Sequence, residues 1–340
     1  MTGKTILTGV KPTNRPHIGN YIGAIGPMLR LAQTNEKSYL FIADYHALNT
    51  ALYSEAWKKE ALGKSSYEVA ATYLALGLDP DKTFFYRQSD VPEIFELATL
   101  LSAVTPKGLM DRAHSYKAAT DKNREAGRDP DANVNMGLYT YPILMAADIL
   151  AMQTDIVPVG NDQVQHIEFA RDIAGYFNNK LEPVFKLPGH QLEKAGAILP
   201  GIDGRKMSKS YNNHIAIFMD SKGRQNAVMK IVTDSKPPAE PKNPDENIIF
   251  QLYAHFATVD EIKTMRDAFE KGGMGYGDAK KLLLEALERT FEKPTQIYDE
   301  YMAKPQSIDE LLAAGAVKAR KTARETLSRA RKAVGLKSLP

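Results

Sequence analysis

Short apolar segments alternate with longer amphipathic ones along the first two-thirds of the chain. The short segments are rich in aliphatic and aromatic residues, as strands are, and they cover 5–8, 38–43, 83–86 and 156–159. Between them, apolar residues recur at helical spacing, as in 55–76, 92–104 and 139–153. Strands that alternate with helices predict a parallel sheet with helices on both faces.

The pattern changes near residue 218, after which only helical periodicity recurs. Four segments show it: 248–258, 260–271, 276–291 and 307–334. We therefore predict an α/β fold with a doubly wound, Rossmann-like parallel sheet in residues 1–218. A C-terminal all-helical domain is predicted in residues 219–340.

Two segments depart from regular periodicity. Pro27 falls inside the helical pattern that begins at Ile18, so the helix should bend or end near Gly26. The segment 107–131 is polar and charged, and for most of it we expect a mobile connection.

Composition limits the classes of function. The chain has 340 residues, of which 43% are hydrophobic, and a net charge of +3, so a nucleic-acid surface must be local. It has no cysteine, which excludes disulfides, thiolate metal sites and iron–sulfur clusters. No apolar run is long enough to span a membrane, and the N-terminus carries no signal-peptide pattern. We expect a cytoplasmic protein without a protein-bound metal and without a membrane partner.

Glycines and polar residues follow the predicted strands. In a doubly wound sheet the ligand crevice lies beyond the carboxyl ends of the strands, where Gly9, Asp44, Gln88 and Gly160 are placed. Residues 8–23 join the first strand to a helix, and a helix start with free backbone N–H groups suits a phosphate. His17 would add a neutral-to-cationic donor there.

Asp148 stands within the apolar helix predicted over 139–153. A buried carboxylate is costly unless it is paired or hydrogen-bonded. Its partner is either structural, such as an arginine or a helix N-terminus, or a ligand donor. The residues alone leave both interpretations open.

Two short motifs carry a resemblance to a known family. His17-Ile18-Gly19-Asn20 and Lys206-Met207-Ser208-Lys209-Ser210 resemble the two signatures of class I aminoacyl-tRNA synthetases. Segments 144–150 and 155–168 are similar to the tryptophanyl-tRNA synthetases, and this similarity extends over nearly the whole chain. Tyrosyl-tRNA synthetases share the fold and are the alternative.

The resemblance implies that the enzyme activates tryptophan with ATP, accompanied by Mg²⁺, and transfers it to tRNA(Trp). It also implies a homodimer. The residues that would bind ATP are Lys11, Pro12, Thr13, His17, Gly19, Asn20, Gly160, Asn161, Asp162, Ile198, Lys206, Met207, Ser208, Lys209 and Ser210. The tryptophan pocket would comprise Leu7, His46, Met145, Asp148, Val159 and Gln163, with Asp148 accepting the indole N–H. The lysines implied in catalysis are Lys117, Lys206 and Lys209.

Some positions depart from the family pattern. Lys11 and Tyr45 stand where Gln is usual, and Leu7 stands where Phe is frequent. These departures put affinity in doubt more than the class of reaction.

The resemblance implies that residues 219–340 form the anticodon-binding domain. The last helix is strongly basic, which indicates either a solvated face or contact with tRNA phosphates, and we favour the second. Two other classes stay open: a different α/β nucleotidyltransferase, and a non-catalytic RNA-binding paralogue.

Overall fold

The computed structural model describes residues 3–12, 15–34, 37–52, 59–192 and 199–338. Thr13 and Ile198, both predicted to bind ATP, lie outside the described residues. So does the beginning of the helix predicted over 55–76.

Five parallel strands form one sheet in the described part of the chain. They are β1 (Thr5–Val10), β2 (Lys37–Ile42), β3 (Thr83–Arg87), β4 (Ile156–Val159) and β5 (Gly189–Leu192). Their order is β3-β2-β1-β4-β5, so the chain reverses direction across the sheet between β1 and β4. This topology confirms the predicted doubly wound sheet. The edge strand β5 was not predicted, because its Gly-His-Gln-Leu sequence lacks an apolar run.

Helices cover the sheet and make up the C-terminal part. They are α1 (Ile18–Asn20), α2 (Gly26–Thr34), α3 (Asp44–Ala51), α4 (Lys59–Ala75), α5 (Glu93–Ser102), α6 (Lys107–Met110), α7 (His114–Glu125), α8 (Met136–Ala151), α9 (Val164–Lys180), α10 (Ser221–Met229), α11 (Ile248–Tyr253), α12 (Val259–Lys271), α13 (Tyr276–Ala303) and α14 (Pro305–Ala333). None of these described helices combines the length and the apolar character that crossing a membrane requires.

Two local predictions are wrong. The segment 107–131, predicted as a mobile connection, contains the helices α6 and α7. Lys117, Lys122 and Arg124 lie exposed on α7, while the opposite side of that helix packs against α8. The high average polarity of the segment therefore hid its helical character. The helix predicted over 276–291 continues through Pro294 to Ala303.

The interruption predicted at Pro27 takes the form of a π-helical turn. This turn spans Tyr21–Ile25, between α1 and α2, and the N–H of Gly26 bonds to the carbonyl of Tyr21. Proline has no N–H, and its ring would clash with a carbonyl one turn earlier in a regular helix. The wider π turn accommodates that defect just before Pro27.

The C-terminal helices share their core with the sheet. Buried Ile18 and Ile42 belong to the same apolar cluster as Leu283 and Leu312. The last helix, α14, lies against the edge strand β3, where a Cβ on Gly315 would clash with the carbonyl oxygen of Phe85. Glycine therefore allows α14 to approach β3 closely.

Candidate active site at the carboxyl ends of the strands

A fully buried carboxylate lies at the centre of the site. Asp148, on α8, is 0% exposed, and His46 Nε2 lies 2.9 Å from its Oδ2. Gln88 donates from Nε2 to both carboxylate oxygens at 3.0 Å. Burial raises the pKa of Asp148, while hydrogen bonds from His46 and Gln88 oppose that rise. Asp148 thus has structural partners, and they are a histidine and an amide rather than the arginine or helix end considered from sequence.

Gln88 is held in place from two sides. It opens a short 3-10 helix, Gln88–Asp90, in which Ser89 donates its N–H to Asp44 at 3.1 Å. On the other side, Arg87 pairs with Asp309 of α14. The hydroxyl of Tyr67 also donates to Asp309, at 2.9 and 3.1 Å. The C-terminal helix therefore fixes the end of β3 beside Gln88.

The apolar residues predicted to line a tryptophan pocket pack together. Leu7 and Val159 are buried in the cluster that contains Ala147 of α8, and Met145 packs partly against it. Gln163, in contrast, is exposed at the beginning of α9. Tyr86 was not predicted, yet its buried hydroxyl has no hydrogen-bond partner among the described residues. Burial raises the pKa of Tyr86 and the charge of Asp148 raises it further, so the two side chains lie near each other.

The start of α1 uses its own backbone donors. The N–H of Gly19 donates to Nδ1 of His17 at 3.1 Å, and that of Asn20 donates to the His17 carbonyl at 2.9 Å. The N–H of Ile18 donates to the carbonyl of Ile215 at 3.0 Å. The prediction of free backbone donors for a phosphate is therefore wrong for these three residues. Because Nδ1 accepts a hydrogen bond, neutral His17 carries its proton on Nε2.

His17 is neutral near pH 7. Burial, together with the nearby charges of His214 and Lys209, lowers its pKa to about 4. The sequence left open whether His17 is neutral or cationic, and the structure shows that it acts as a neutral donor. Sequence could not show this, because His214 and Lys209 are distant along the chain.

The low pKa of His17 predicts a pH dependence of stability. Between pH 4 and 6.5 the unfolded chain binds more protons at this position than the folded chain. Its stabilising contribution is present above pH 6.5 and is lost as the pH falls towards and through 4. We expect the free energy of unfolding, measured with urea, to fall more across this window in the wild type than in His17→Asn. Asparagine can cap the Gly19 N–H without titrating, so equal pH dependences would contradict the prediction.

The second motif folds directly onto the first. His17 and Ala216 form an antiparallel bridge, and Met207 is buried with its sulfur 3.6 Å from the position of a Cβ on Gly19. Asn213 holds the loop in place, since its Oδ1 accepts a hydrogen bond from the N–H of Ser208 at 2.8 Å. Its Nδ2 donates to the carbonyl of Lys206 at 3.1 Å. The structure thereby joins two motifs that are about 190 positions apart.

The two lysines of the second motif lie in different surroundings. The side chain of Lys206 is exposed, whereas that of Lys209 is partly buried, at the start of the 3-10 helix Lys209–Tyr211. Burial lowers the pKa of Lys209, and Glu68 opposes that effect. Ser208 and Ser210 lie within the same loop, with their hydroxyl oxygens 2.7 Å apart.

The end of β4 supplies a second group of polar side chains. Gly160 precedes the 3-10 helix Asn161–Gln163, and the Oδ1 of Asp162 lies 2.8 Å from the position of a Cβ on Gly160. Asp162 caps neither helix here, because Gly160 and Gln163 occupy the N-cap positions of the 3-10 helix and α9.

Tyr141 and His166, which were not predicted as site residues, contact each other near the end of β4. Tyr141 Oη lies 3.1 Å from His166 Nε2 and 3.2 Å from Ser115 Oγ. Burial lowers the pKa of His166, the charges of His114 and Lys11 lower it further, and Asp162 opposes them, so Lys11 and Asp162 lie near His166. The available signal was Tyr141, which with Asp148 is one of the few polar side chains in the mostly apolar helix α8.

Three further predicted residues, Lys11, Pro12 and Lys117, complete the described set. Lys11 follows β1 with an exposed side chain, and Pro12 beside it is buried. Lys117 is exposed on α7. Within the described ranges, no group of three or more His, Cys, Asp or Glu side chains is arranged to hold a metal ion.

Known proteins resemble this chain over its full length. The family described as tRNA synthetases class I (W and Y) matches residues 3–292. The tryptophan–tRNA ligase of Neisseria meningitidis is 48% identical over 341 aligned positions, which cover 100% of both chains. That of Pseudomonas putida is 48% identical over 337 positions, covering 98% of this chain and 74% of the relative.

A solved structure agrees with these relatives. The tryptophanyl-tRNA synthetase of Campylobacter jejuni, complexed with ADP and tryptophan, superposes with a TM-score of 0.86. It is 42% identical to this chain, and the match covers 99% of this chain and 100% of that one. With its paired signature motifs in contact at the reversal point of a doubly wound sheet, the chain belongs to the class I tRNA synthetases of the W and Y type.

Proposed function

We propose that this chain is an ATP-dependent tryptophan–tRNA ligase. It joins the carboxylate of tryptophan to the α-phosphate of ATP, releases pyrophosphate and passes the tryptophanyl group to tRNA(Trp). The observation that carries the proposal is the contact between the His17 motif and the Lys206–Ser210 loop, where Met207 packs against Gly19. The full-length relatives named tryptophan–tRNA ligase support the same assignment.

The first step needs no protein base. The nucleophile is the tryptophan carboxylate, which is already ionised at pH 7, so the protein has to align it and stabilise developing charge. Neutral His17 offers an Nε2–H donor, and Lys206 and Lys209 offer positive charge for the departing pyrophosphate. The structure therefore suits a reaction at the α-phosphate that depends on positioning the two substrates and stabilising charge, rather than on proton transfer by a protein base.

Selection of tryptophan is assigned to Asp148. An ionised carboxylate has about four acceptor positions, and His46 and Gln88 occupy three of them. The remaining position would accept the indole N–H, while Leu7, Met145 and Val159 contact the ring. In such a pocket an amino acid without a matching donor leaves a buried acceptor unsatisfied, which is unfavourable.

The assignment is tested by ATP–pyrophosphate exchange with each of the twenty amino acids. Exchange should be much faster with tryptophan than with tyrosine or phenylalanine. Faster exchange with tyrosine would favour a tyrosyl-type enzyme. Exchange with no amino acid would favour a non-catalytic paralogue.

Mg²⁺ is proposed to enter with ATP. The groups near the predicted phosphate site are lysine and histidine side chains rather than a carboxylate set, so phosphate oxygens and water would hold the ion. When bound, it would shield the negative charge of the phosphates.

The helical part, residues 219–340, is proposed to bind tRNA. Several cations of α14 are engaged within the protein: Arg320 donates to Glu93 at 3.0–3.2 Å, and Arg331 pairs with Glu96. These pairs hold α14 against α5. Lys321, Arg329 and Lys332 are exposed on the same helix, and we assign them to tRNA phosphates.

Neutralising these exposed cations should weaken tRNA binding. In the triple variant Lys321→Ala, Arg329→Ala, Lys332→Ala, we expect the slope of log affinity against log salt to become less negative by about 2, because fewer counterions are released. Adenylate formation should be unchanged. Filter binding at several salt concentrations measures the slope. The matched control replaces three exposed lysines elsewhere with alanine: Lys82, Lys122 and Lys180. Equal slopes in both variants would mean that the cations of α14 contact water rather than tRNA.

A cytoplasmic homodimer is also proposed. Tyr45, Leu52 and Met136 are large apolar side chains with exposures of 44%, 52% and 68%. They lie on or next to α3 and α8, which are joined by a hydrogen bond from Asn49 to the carbonyl of Gly137 at 3.0 Å. Exposed apolar side chains on contacting helices are typical of a subunit interface.

A further inference from the structure

His214 occupies a fixed position between the two signature motifs. Its ring centroid lies 5.8 Å from that of His17, and the two rings are tilted by 51°. Both residues that follow it are tied to the first motif, since Ile215 accepts the N–H of Ile18 and Ala216 bridges His17. The side chain is therefore held beside the start of α1.

One ring nitrogen of His214 has no partner. Nδ1 is buried, and no donor or acceptor among the described residues bonds to it. A buried unpartnered acceptor is tolerated more readily than a buried unpartnered N–H, so the neutral ring should carry its proton on Nε2. Burial lowers the pKa of His214, and Lys209 lowers it further, which also favours the neutral form.

The surroundings of His214 suit a polyanion. His17 and Lys209 face it, and each group of this trio has a pKa lowered by burial. Glu68 acts on Lys209, but it also pairs with Arg15 at 3.4 Å. The first backbone N–H groups of α1 are already used, so side chains have to supply the donors for a phosphate group here.

We propose that His214 is a further nucleotide-binding residue, which donates its Nε2–H to the polyphosphate of ATP beside His17 and Lys209. This assignment rests on the proposed function and adds a donor outside both signature motifs. Two neutral imidazoles and one ammonium would then contact the phosphates together.

The test compares two replacements in tryptophan-dependent ATP–pyrophosphate exchange. His214→Phe keeps a flat ring against His17 but removes the N–H, and should raise the KM for ATP about tenfold, as expected for one hydrogen bond to a charged group. His214→Gln retains an N–H donor and should stay within about threefold of the wild type. The KM for tryptophan should not change. His190→Phe, at an exposed position on β5, is the matched control and should leave both constants unchanged.

A second measurement covers the case in which His214→Phe fails to fold. ¹⁵N NMR of histidine-labelled wild type should show His214 as the neutral Nε2–H form, with a shift on addition of a non-hydrolysable ATP analogue. An unchanged KM for ATP in folded His214→Phe, or a His214 signal unaffected by the analogue, overturns the inference. If the wild type shows no tryptophan-dependent exchange, the proposed function fails. If only the His214 variants match the wild type while Lys206→Ala is impaired, the function stands and this inference fails.

Discussion

Replacing Lys206 and Lys209 together with alanine should lower the turnover of tryptophan activation by about 10³-fold, while the KM for tryptophan stays nearly constant. Lys206 lies exposed on the loop that folds onto the His17 motif, and Lys209 is partly buried next to it. Their charge is needed chiefly when negative charge accumulates on the leaving pyrophosphate, so its loss should affect turnover rather than ground-state binding. One charge-assisted hydrogen bond contributes about 1.5–3 kcal/mol, and two correspond to about 10²–10⁴ in rate.

The measurement is ATP–pyrophosphate exchange at saturating tryptophan, with Lys222→Ala as the matched control. Lys222 is exposed on α10, outside the loop, so its replacement should have no effect. Thermal melting should show the double variant folded, because the loop is held by Asn213 and buried Met207 rather than by the lysine side chains. Full turnover in the double variant would remove this loop from the mechanism.

Replacing Asp148 with alanine should raise the KM for tryptophan about 10²-fold. The change removes the proposed acceptor of the indole N–H. It also leaves the N–H groups of His46 and Gln88 without their buried partner, a cost of about 1–3 kcal/mol per group. The KM for ATP should change little, because the nucleotide contacts are assigned to the two signature motifs.

Asp148→Asn separates charge from shape. Asparagine keeps the volume but places an N–H₂ group where Gln88 donates, so tryptophan affinity should fall while the fold persists. Asp172→Asn, on the exposed face of α9, is the control. Exchange is measured with tryptophan and with tyrosine in each variant, and an unchanged ratio in Asp148→Ala would exclude this carboxylate from amino-acid selection.

Much of the fold follows from local pattern. Apolar runs in 5–8, 38–43, 83–86 and 156–159 appear as β1 to β4 with boundary shifts of at most two residues, since side-chain periods of 2 and 3.6 are properties of the backbone. The alternation of strands and helices was sufficient to predict a parallel, doubly wound sheet. Prolines and glycines also act locally, and the interruption before Pro27 was predicted for that reason.

The tertiary structure alone decided how the site is assembled. Asp148 bonds to residues 60 and 102 positions away, and Ile215 takes the backbone N–H that a phosphate was expected to use. The cations of α14 were expected to face tRNA, yet Arg320 of that helix pairs with Glu93, and its Asp309 pairs with Arg87. Such partners depend on which strand ends and helix faces meet in space, and the local period of a sequence carries no information about that. The sequence therefore determined the elements and the candidate chemistry, whereas long-range packing determined the protonation of His17, the partners of Asp148 and the place of His214.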